Sequence, residues 1–380
     1  MTQYLLPATL LAATILATPQ DPSAEFQTHK SEFQKEQPQK NQTSKVPPAE
    51  TQDLGGPATV ERHLTVMGTE LHLSFEGRDR AMALAASETA LRELEATEDR
   101  LSTWRPNSEL SRLNAAAPGF PFRLSPTLRK ELTQAHRCWK QTRGSFDPTI
   151  GALLDAWGVR TGGREPSEAE QRKARQSSGM WAFHLSLSGS ASRQLPGLRL
   201  DESAFGKGAG LDRMAEKLRD LHEEVTGFID LGGQWLAVGP ETPRTVSIAH
   251  PHRRQLPVVD LQLTSGSVAT SGNSERGLAF GSLEGEGPRT SHILDPATGN
   301  PVPDFGSVTV VTASALEADC LSTGLYVMGP QRALGWAKGH PGVEVLVLEF
   351  RDEKLTARAT SGLKGRLTVL VADLPLTFLP

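Results

Sequence analysis

The residues best suited to chemistry fall in two short segments of the chain. The first, His292-Ile293-Leu294-Asp295-Pro296-Ala297-Thr298-Gly299, puts a histidine, a carboxylate, a proline turn and a glycine in one loop. Such a loop suits holding a polar ligand against rigid backbone better than filling a core. The second, residues 318–323, places Asp319 and Thr323 four positions apart, so both oxygens project from one face of a helix. Carboxylate plus hydroxyl is the oxygen set that Mg²⁺ takes when a phosphate completes its shell.

The same residues also have structural interpretations. A lone loop histidine such as His292 is commonly satisfied by a backbone carbonyl, and Asp295 can cap the turn that follows it. Asp319 can be a carboxylate near a helix N-terminus, with the Thr323 hydroxyl bonded back to the helix. Either segment alone is therefore weak support for a site.

Three glycine-containing segments accompany these two. Gly206-Lys207-Gly208-Ala209-Gly210 opens a predicted helix, where backbone N–H groups and the helix dipole can hold phosphate. It lacks the Lys-Ser/Thr end of a P-loop, so a tight turn before a helix is the commoner outcome. Residues 230–234 and 270–273 end predicted strands, and glycine there lets the backbone approach either a ligand or another chain segment. The joint occurrence of all five segments favours a nucleotide site.

Length, charge and cysteine usage exclude several classes of function. The chain has 380 residues and a formal net charge of −4, enough length for one large domain or two smaller ones. No basic excess marks a surface for phosphate backbones, so we expect no nucleic-acid partner. Cys138 and Cys320 lack CxxC or other zinc-like spacing, so neither a disulfide scaffold nor a thiolate metal site is indicated. We interpret Cys320 as a small buried filler.

The first 57 residues have the composition of targeting and linker segments. Residues 5–17 are apolar but too short to span a bilayer, and the Thr18-Pro19-Gln20-Asp21 that follows is typical of a cleavage region. We interpret residues 1–17 as a signal peptide, although no basic residue precedes Lys30; a disordered, mildly apolar terminus is the alternative. Residues 18–57 are predicted to be a disordered polar linker. No cysteine follows the apolar run, so we expect export as a soluble protein without a lipid anchor or membrane span.

Hydrophobic periodicity beyond residue 57 predicts a mixture of strands and helices. Alternation predicts strands at 64–66 and 70–75 around Met67-Gly68-Thr69, and at 226–231, 244–249, 257–263, 307–312 and 343–350. Helical spacing of Leu84, Leu91, Leu94 and Leu101 predicts a helix over 79–102, with others over 126–142 and around 211–221. Residues 161–180 are polar and predicted to be a surface excursion. Because there is no regular βαβ rhythm and no internal repeat, the expected class is α+β.

Seven segments, taken in order, resemble the ApbE family, the FAD:protein FMN transferases. They are Met67-Gly68-Thr69, Ser145-Phe146-Asp147-Pro148-Thr149, residues 201–208, Leu231-Gly232-Gly233, Thr270-Ser271-Gly272, residues 292–299 and residues 319–323. The last two are the most specific. The resemblance covers residues 60–350 and implies a single α+β domain of the T-fold-related type over residues 58–380.

The resemblance implies a Mg²⁺-dependent enzyme that moves the FMN half of FAD, its substrate, onto a Ser or Thr hydroxyl of an acceptor flavoprotein and releases AMP. It also implies a periplasmic location. By matching position, Asp319, Thr323 and the Ala204 carbonyl would bind the metal, and Asp319 and His292 would be catalytic, His292 as base toward the hydroxyl or as a clamp on the pyrophosphate. The flavin and adenosine pockets would be lined by Met67, Trp104, Ser145, Phe146, Asp147, Asp201, Lys207 and Ile293.

Two other functions remain open on this scaffold. One is a protein that binds FAD without transferring it, and the other is an FAD pyrophosphatase that gives FMN and AMP with water in place of the hydroxyl. Asp319 and Thr323 favour an enzyme, since a mere binder does not need a metal at the pyrophosphate. The chain departs from the family where Cys320 replaces the more usual alanine and Gln234 the more usual asparagine. Asn273-Ser274-Glu275-Arg276 also replaces the acidic or aromatic residues that often follow the TSG segment.

Overall fold

The computed structural model describes residues 56–221, 224–240, 242–273, 278–279, 289–352 and 354–379. The predicted signal peptide over residues 1–17 and nearly all of the predicted linker over residues 18–57 lie outside these described residues. Among the helices that are described, none combines the length and apolarity needed to cross a bilayer.

Strands and helices alternate irregularly along the described chain, which confirms the predicted α+β class. The strands are β1 (Ala58–Val66), β2 (Thr69–Gly77), β3 (Phe122–Arg123), β4 (Phe183–Leu185), β5 (Ser190–Arg193), β6 (Thr226–Leu231), β7 (Gln234–Val238), β8 (Arg244–His250), β9 (Arg253–Leu263), β10 (Gly266–Gly272), β11 (Leu278–Ala279), β12 (Arg289–Thr290), β13 (Gly306–Thr312), β14 (Glu344–Arg351), β15 (Lys354–Ala359), β16 (Leu367–Val369) and β17 (Leu376–Phe378). The helices are α1 (Arg80–Leu101), α2 (Glu109–Ala115), α3 (Pro126–Gln141), α4 (Gly151–Ala156), α5 (Glu168–Gln176), α6 (Gly206–Leu221), α7 (Ala315–Met328) and α8 (Pro330–Lys338), with 3-10 turns at Met180–Ala182, Glu202–Ala204 and Ser361–Leu363.

A nine-stranded sheet forms the centre, in the order β1-β2-β6-β7-β10-β13-β14-β15-β17. Its neighbours are antiparallel except for the parallel pair β15–β17. Helices α1, α6 and α7 pack on one face, and the smaller sheet β16-β9-β8 covers part of the other. Strand β14 shows the alternation that this layering requires, since Val345 and Val347 join the helix-side core while Leu346 and Leu348 join the core under β8 and β9. Strand β13 is buried along its whole length for the same reason.

The two strands predicted around Met67-Gly68-Thr69 are confirmed as β1 and β2, and they pair as a hairpin. Its two turn residues have φ of +52° and +71°, the left-handed conformation that a two-residue hairpin turn requires. The predicted helix over residues 79–102 is α1, capped by the Asp79 carboxylate, which accepts a hydrogen bond from Met82 N at 2.8 Å. Leu84 is 42% exposed, contrary to its assignment to the buried stripe. The buried face of α1 instead includes the alanines Ala83, Ala86 and Ala90, whose small side chains suit close contact with the sheet and α6.

The other strands predicted from alternation are β6, β8, β9, β13 and β14, and the remaining predicted helices are α3 and α6. The polar excursion over residues 161–180 contains α5, which is capped by a reciprocal pair of bonds between Ser167 and Glu170 and buries Ala174. Both cysteines, Cys138 and Cys320, are free and buried, in agreement with the interpretation of Cys320 as a filler.

Helices α6 and α7 meet at Gly208, where there is no room for a side chain. A Cβ atom on Gly208 would lie 2.4 Å from the Ala315 carbonyl oxygen and 2.6 Å from the Leu316 Cα. One turn further along α6, the Asp212 carboxylate accepts hydrogen bonds of 2.6 Å from both Ser314 Oγ and Ala315 N. A side chain of α6 therefore caps α7, and this fixes the position of the first turns of α7 against the first turns of α6.

We expect Gly208→Ala to lower the free energy of unfolding by about 3 kcal/mol, because the new methyl group meets rigid backbone. Urea denaturation followed by circular dichroism measures the change. The matched control is Gly335→Ala on the exposed face of α8, where a Cβ meets nothing within 4 Å. There alanine should raise stability by up to about 1 kcal/mol, since it restricts the unfolded chain. Equal effects at both positions would show that the α6–α7 approach imposes no constraint.

Candidate active site

The carboxylate of Asp319 lies at the centre of the site, in the second turn of α7. The residue is 5% exposed, and its Oδ2 accepts a hydrogen bond from Gly208 N at 3.0 Å. Burial raises the pKa of this carboxyl, while attraction to the Lys207 ammonium and the Gly208 N–H act in the opposite direction and only partly offset it. A buried carboxylate in this state gains from a bound cation, because the cation compensates the loss of hydration.

Thr323 lies one turn further along the same face of α7, as the four-residue spacing predicts. Its hydroxyl oxygen is 3.3 Å from the Ser271 hydroxyl and 3.4 Å from the Asp319 carbonyl oxygen, to which it donates. The back-bond to the helix is therefore present, as the structural interpretation supposed. Ser271, near the end of β10, also lies 2.9 Å from the Ser322 hydroxyl. The hydroxyls of Ser271, Ser322 and Thr323 therefore form a cluster where β10 meets α7.

The carbonyl of Ala204 belongs to the 3-10 turn Glu202–Ala204, which contacts both α6 and α7. Asp201 caps this turn, because its Oδ1 accepts a hydrogen bond from Ser203 N at 3.0 Å. Asp201 is itself buried, and its backbone N donates to the Pro148 carbonyl oxygen at 2.8 Å. The turn that carries Ala204 is thus tied to the loop of residues 145–149 as well as to the two helices.

The loop Ser145-Phe146-Asp147-Pro148-Thr149 directs most of its side chains inward. Phe146 is 1% exposed, and a Cβ on Gly324 of α7 would lie 2.9 Å from its Cβ. The Asp147 carboxylate accepts hydrogen bonds from Thr149 N at 2.8 Å, the Thr149 hydroxyl at 2.5 Å and Met180 N at 2.9 Å. The resemblance placed Phe146 and Asp147 along a ligand pocket; the structure places both side chains in the core, where Asp147 stabilises the loop. Ser145 is half-buried.

The remaining predicted pocket residues differ in exposure. Met67, at the β1–β2 turn, is half-buried and lies against α6, with its Cε 3.6 Å from where a Cβ on Gly206 would stand. Trp104 is 69% exposed, and the Arg160 guanidinium lies 4.9 Å from its ring centroid. Ile293 is buried in the same core cluster as Phe146, so its side chain is not on an open surface.

His292 is half-buried in a loop that is stabilised by its own residues. The Asp295 carboxylate accepts hydrogen bonds from a backbone N–H two residues further on, at 2.9 Å, and from the Thr298 hydroxyl, at 3.1 Å. Asp295 therefore caps its turn, as the structural interpretation supposed. The loop is fixed to the C-terminal end of α4, because the indole of Trp157, the residue after the helix, donates to the Gly299 carbonyl oxygen at 2.7 Å. These bonds give the segment that carries His292 a rigid support.

The double glycine serves chain packing. Gly232 and Gly233 form the turn between β6 and β7 with φ of +57° and +82°, and a Cβ on Gly232 would lie 2.3 Å from the Thr69 hydroxyl. Of the two roles expected for this segment, approach to a ligand or to another chain segment, the structure shows the second.

Several residues that the sequence pattern did not assign to the site support it. Gln234, noted only as a departure from the family, is buried and donates to the Ala315 carbonyl oxygen at 2.7 Å. Asp212 caps α7, and Arg160 pairs with Asp201. No local pattern could identify Asp212 or Arg160, because each acts on a residue far along the chain.

The site offers oxygen ligands for a metal. Within the part of the chain that the structure describes, no group of three or more His, Cys, Asp or Glu side chains is arranged to hold an ion. The residues that the resemblance suggests as ligands, Asp319, Thr323 and the Ala204 carbonyl, carry only oxygen donors and include a single carboxylate. Such a set fits Mg²⁺, which uses one or two carboxylates and completes its octahedron with water and substrate phosphates. It does not fit zinc, which takes nitrogen and sulfur ligands in closed tetrahedra.

The comparisons with known proteins agree with one another. The ApbE family model matches residues 67–347. The FAD:protein FMN transferase of Vibrio cholerae is 31% identical over 331 residues, 84% of this chain and 94% of that protein. The one from Treponema pallidum is 29% identical over 84% of this chain and 92% of its own length. Among solved structures, the flavin transferase ApbE from Vibrio cholerae matches with a TM-score of 0.69 and 27% identity, over 82% of this chain and 99% of that one. The ApbE protein of Thermotoga maritima shares the fold, with a TM-score of 0.72 at 24% identity over 81% of this chain and 99% of its own.

The chain therefore belongs to the ApbE family and is an enzyme of the transferase class.

Proposed function

We propose that this protein is a Mg²⁺-dependent FAD:protein FMN transferase. It moves the FMN half of FAD onto a Ser or Thr hydroxyl of an acceptor flavoprotein and releases AMP. The observation that carries the proposal is the buried Asp319 carboxylate, held by Gly208 N and Lys207 on the helix face that also carries Thr323. Family membership supports flavin transfer, since the relatives described above are named FAD:protein FMN transferases.

The reaction is a substitution at the FMN phosphorus of the FAD pyrophosphate. The acceptor hydroxyl oxygen forms a new bond to that phosphorus, and the bond from phosphorus to the bridging oxygen breaks, so the oxygen leaves with AMP. Asp319, Thr323 and the Ala204 carbonyl would hold Mg²⁺, which would supply positive charge for the pyrophosphate oxygens. Lys207 adds a second positive charge beside Asp319. His292 takes the hydroxyl proton or holds the pyrophosphate by charge.

The flavin and adenosine groups bind along the surfaces around this centre. Met67 and Trp104 present side chains to them, because both remain accessible at the edge of the site. Ser145 contributes from the half-buried part of its loop. The other proposed contacts act through the backbone or through neighbours, because their side chains are buried. These are Phe146, Asp147, Asp201 and Ile293.

The proposal extends to where the enzyme works. Residues 1–17 have the apolar core and following turn of an export signal, and residues 18–57 have the composition of a polar tether. We propose that the enzyme is exported and modifies acceptor flavoproteins in the periplasm.

Intact-mass measurement of a candidate acceptor domain tests the proposal. The domain is incubated with this protein, FAD and Mg²⁺, and a parallel sample contains EDTA. We expect a mass gain equal to FMN minus water that is lost with EDTA. FAD bound without mass gain on two different acceptors would indicate a binding protein, and FMN and AMP formed without an acceptor would indicate a pyrophosphatase. Either outcome would overturn the transferase assignment.

We expect Asp319→Asn to lower the transfer rate at least about 100-fold, because the side chain loses the charge that holds the metal. Burial places the folded-state pKa of Asp319 above its unfolded value, so its ionised form costs stability increasingly as pH rises between those two values. Without metal at pH 7, the Asn variant should therefore unfold at an equal or higher temperature than the wild type. Adding Mg²⁺ and FAD should raise the unfolding temperature of the wild type alone. An active variant would remove Asp319 from the metal site.

We expect His292→Ala to lower the transfer rate by about 100-fold to 10,000-fold while leaving the Kd for FAD nearly unchanged. The reason is that a base or clamp acts on the reacting groups and contributes little to holding the large flavin and adenosine groups. Single-turnover kinetics and flavin fluorescence titration measure the two quantities separately. Thr298→Ala, which removes two hydrogen bonds from the same loop, is the matched control and should cost far less activity. Equal losses in the two variants would make His292 a structural residue of its loop.

A further inference from the structure

Trp104 is a large aromatic residue that the fold leaves on the surface. It is 69% exposed, and the Arg160 guanidinium lies over its ring, 4.9 Å from the centroid. A cation over an indole face is attracted by the ring quadrupole. One face of the ring is thus occupied by the guanidinium, and the high exposure leaves the opposite face to solvent. An indole fixed on one face and open on the other is a stacking surface for a second flat ring.

Arg160 is held in place by buried acidic and polar groups. Its Nη2 donates to the Thr103 hydroxyl at 2.6 Å and pairs with the Asp201 carboxylate, and the Glu202 carboxylate lies 3.6 Å away. Thr103 in turn donates to Glu202, from its backbone N at 3.2 Å and from its hydroxyl at 2.7 Å. The segment that carries Trp104 and the turn that follows Asp201 are therefore joined through one guanidinium.

The same network reaches the phosphate end of the site. Asp201 caps the 3-10 turn that contains Ala204, and the chain continues directly into Lys207 and Gly208. The Gly208 N–H donates to the Asp319 carboxylate, and the Lys207 ammonium attracts it. A displacement of Arg160 would affect both the Trp104 ring and the turn that follows Asp201. The indole would lose the guanidinium that contacts its face, and Asp201 and Glu202 would lose the cation that they share.

We propose that Arg160 is a positioning residue that holds the Trp104 ring as a stacking surface for a flat heterocyclic ring of the substrate, at a fixed distance from the pyrophosphate end. This inference rests on the proposed function, since FAD supplies two such rings, and adds Arg160 to the residues that the function requires. Arginine suits the role better than lysine, because its planar guanidinium can stack on an indole and donate several hydrogen bonds in its own plane at the same time.

The Kd for FAD of Arg160 and Trp104 variants tests the inference. We expect Arg160→Ala to weaken FAD binding by roughly tenfold, and Trp104→Ala to weaken it by a similar factor. The double variant should lose less than the product of the two factors, because both substitutions remove the same stacking surface. The KM for FAD should follow the Kd, with a smaller change in kcat. Flavin fluorescence titration gives the Kd without any transfer reaction.

Two further variants separate positioning from charge and from folding. Arg160→Lys keeps a cation near Asp201 and Glu202 but lacks the planar group, so it should keep the wild-type unfolding temperature and still weaken FAD binding several-fold. Arg164→Ala is the matched control, since this arginine lies one helical turn's length further along the chain and pairs with Glu170 on the surface. It should leave the Kd unchanged.

Three outcomes would overturn the inference. The first is an unchanged Kd for FAD in Arg160→Ala, and the second is a wild-type Kd in Arg160→Lys. The third is a double variant whose Kd rises by the full product of the two single-variant factors. If Arg160→Ala fails to fold, the Kd values for FAD of Arg160→Lys and Trp104→Ala still test the inference. Wild-type protein that binds no FAD would overturn the proposed function together with this inference, whereas wild-type binding with unaffected Arg160 variants would overturn this inference alone.

Discussion

The contact between α6 and α7 at Gly208 is the constraint on which the candidate site depends. Because Gly208 has no side chain, its backbone N–H reaches the Asp319 carboxylate at 3.0 Å while the helix backbone passes beside Ala315. Asp212 then caps α7 from the same helix. The two helices therefore fix one another's position at the point where the Asp319 carboxylate is buried. Any shift between them would lengthen or break the hydrogen bond from Gly208 N to this carboxylate.

A buried acidic group of this kind exchanges stability for function. Burial raises the pKa of Asp319, and neither Lys207 nor the Gly208 N–H offsets the lost hydration completely. Nothing in the packing of α7 requires a charge there, since its neighbours Ala318, Cys320 and Leu321 are apolar and buried. A charge that is kept at a cost in stability is expected at a functional site, and a cation bound next to Asp319 would offset that cost.

A second group of charges supports the other end of the site. Asp201 and Glu202 are adjacent in sequence and both largely buried, an arrangement that like-charge repulsion opposes. Arg160 and Thr103 supply the compensating hydrogen-bond donors. The Arg160 guanidinium also lies over the Trp104 ring, so Trp104 is connected to the same group of residues. The two ends are continuous, because the turn capped by Asp201 leads directly into the first residues of α6.

The sequence by itself determined the local elements, because each depends on residues close together in the chain. The strands on either side of Met67-Gly68, the helix α1 and the shared helix face of Asp319 and Thr323 follow from periods of 2 and 3.6 residues. The tertiary structure alone decided which motif residues are buried and which are exposed. It turned Phe146 and Asp147 into the core, exposed Leu84, and brought Asp212, Arg160 and Gly208 to partners far along the chain. These contacts depend on which helices and strands pack together in the folded chain, and a local sequence pattern does not specify that.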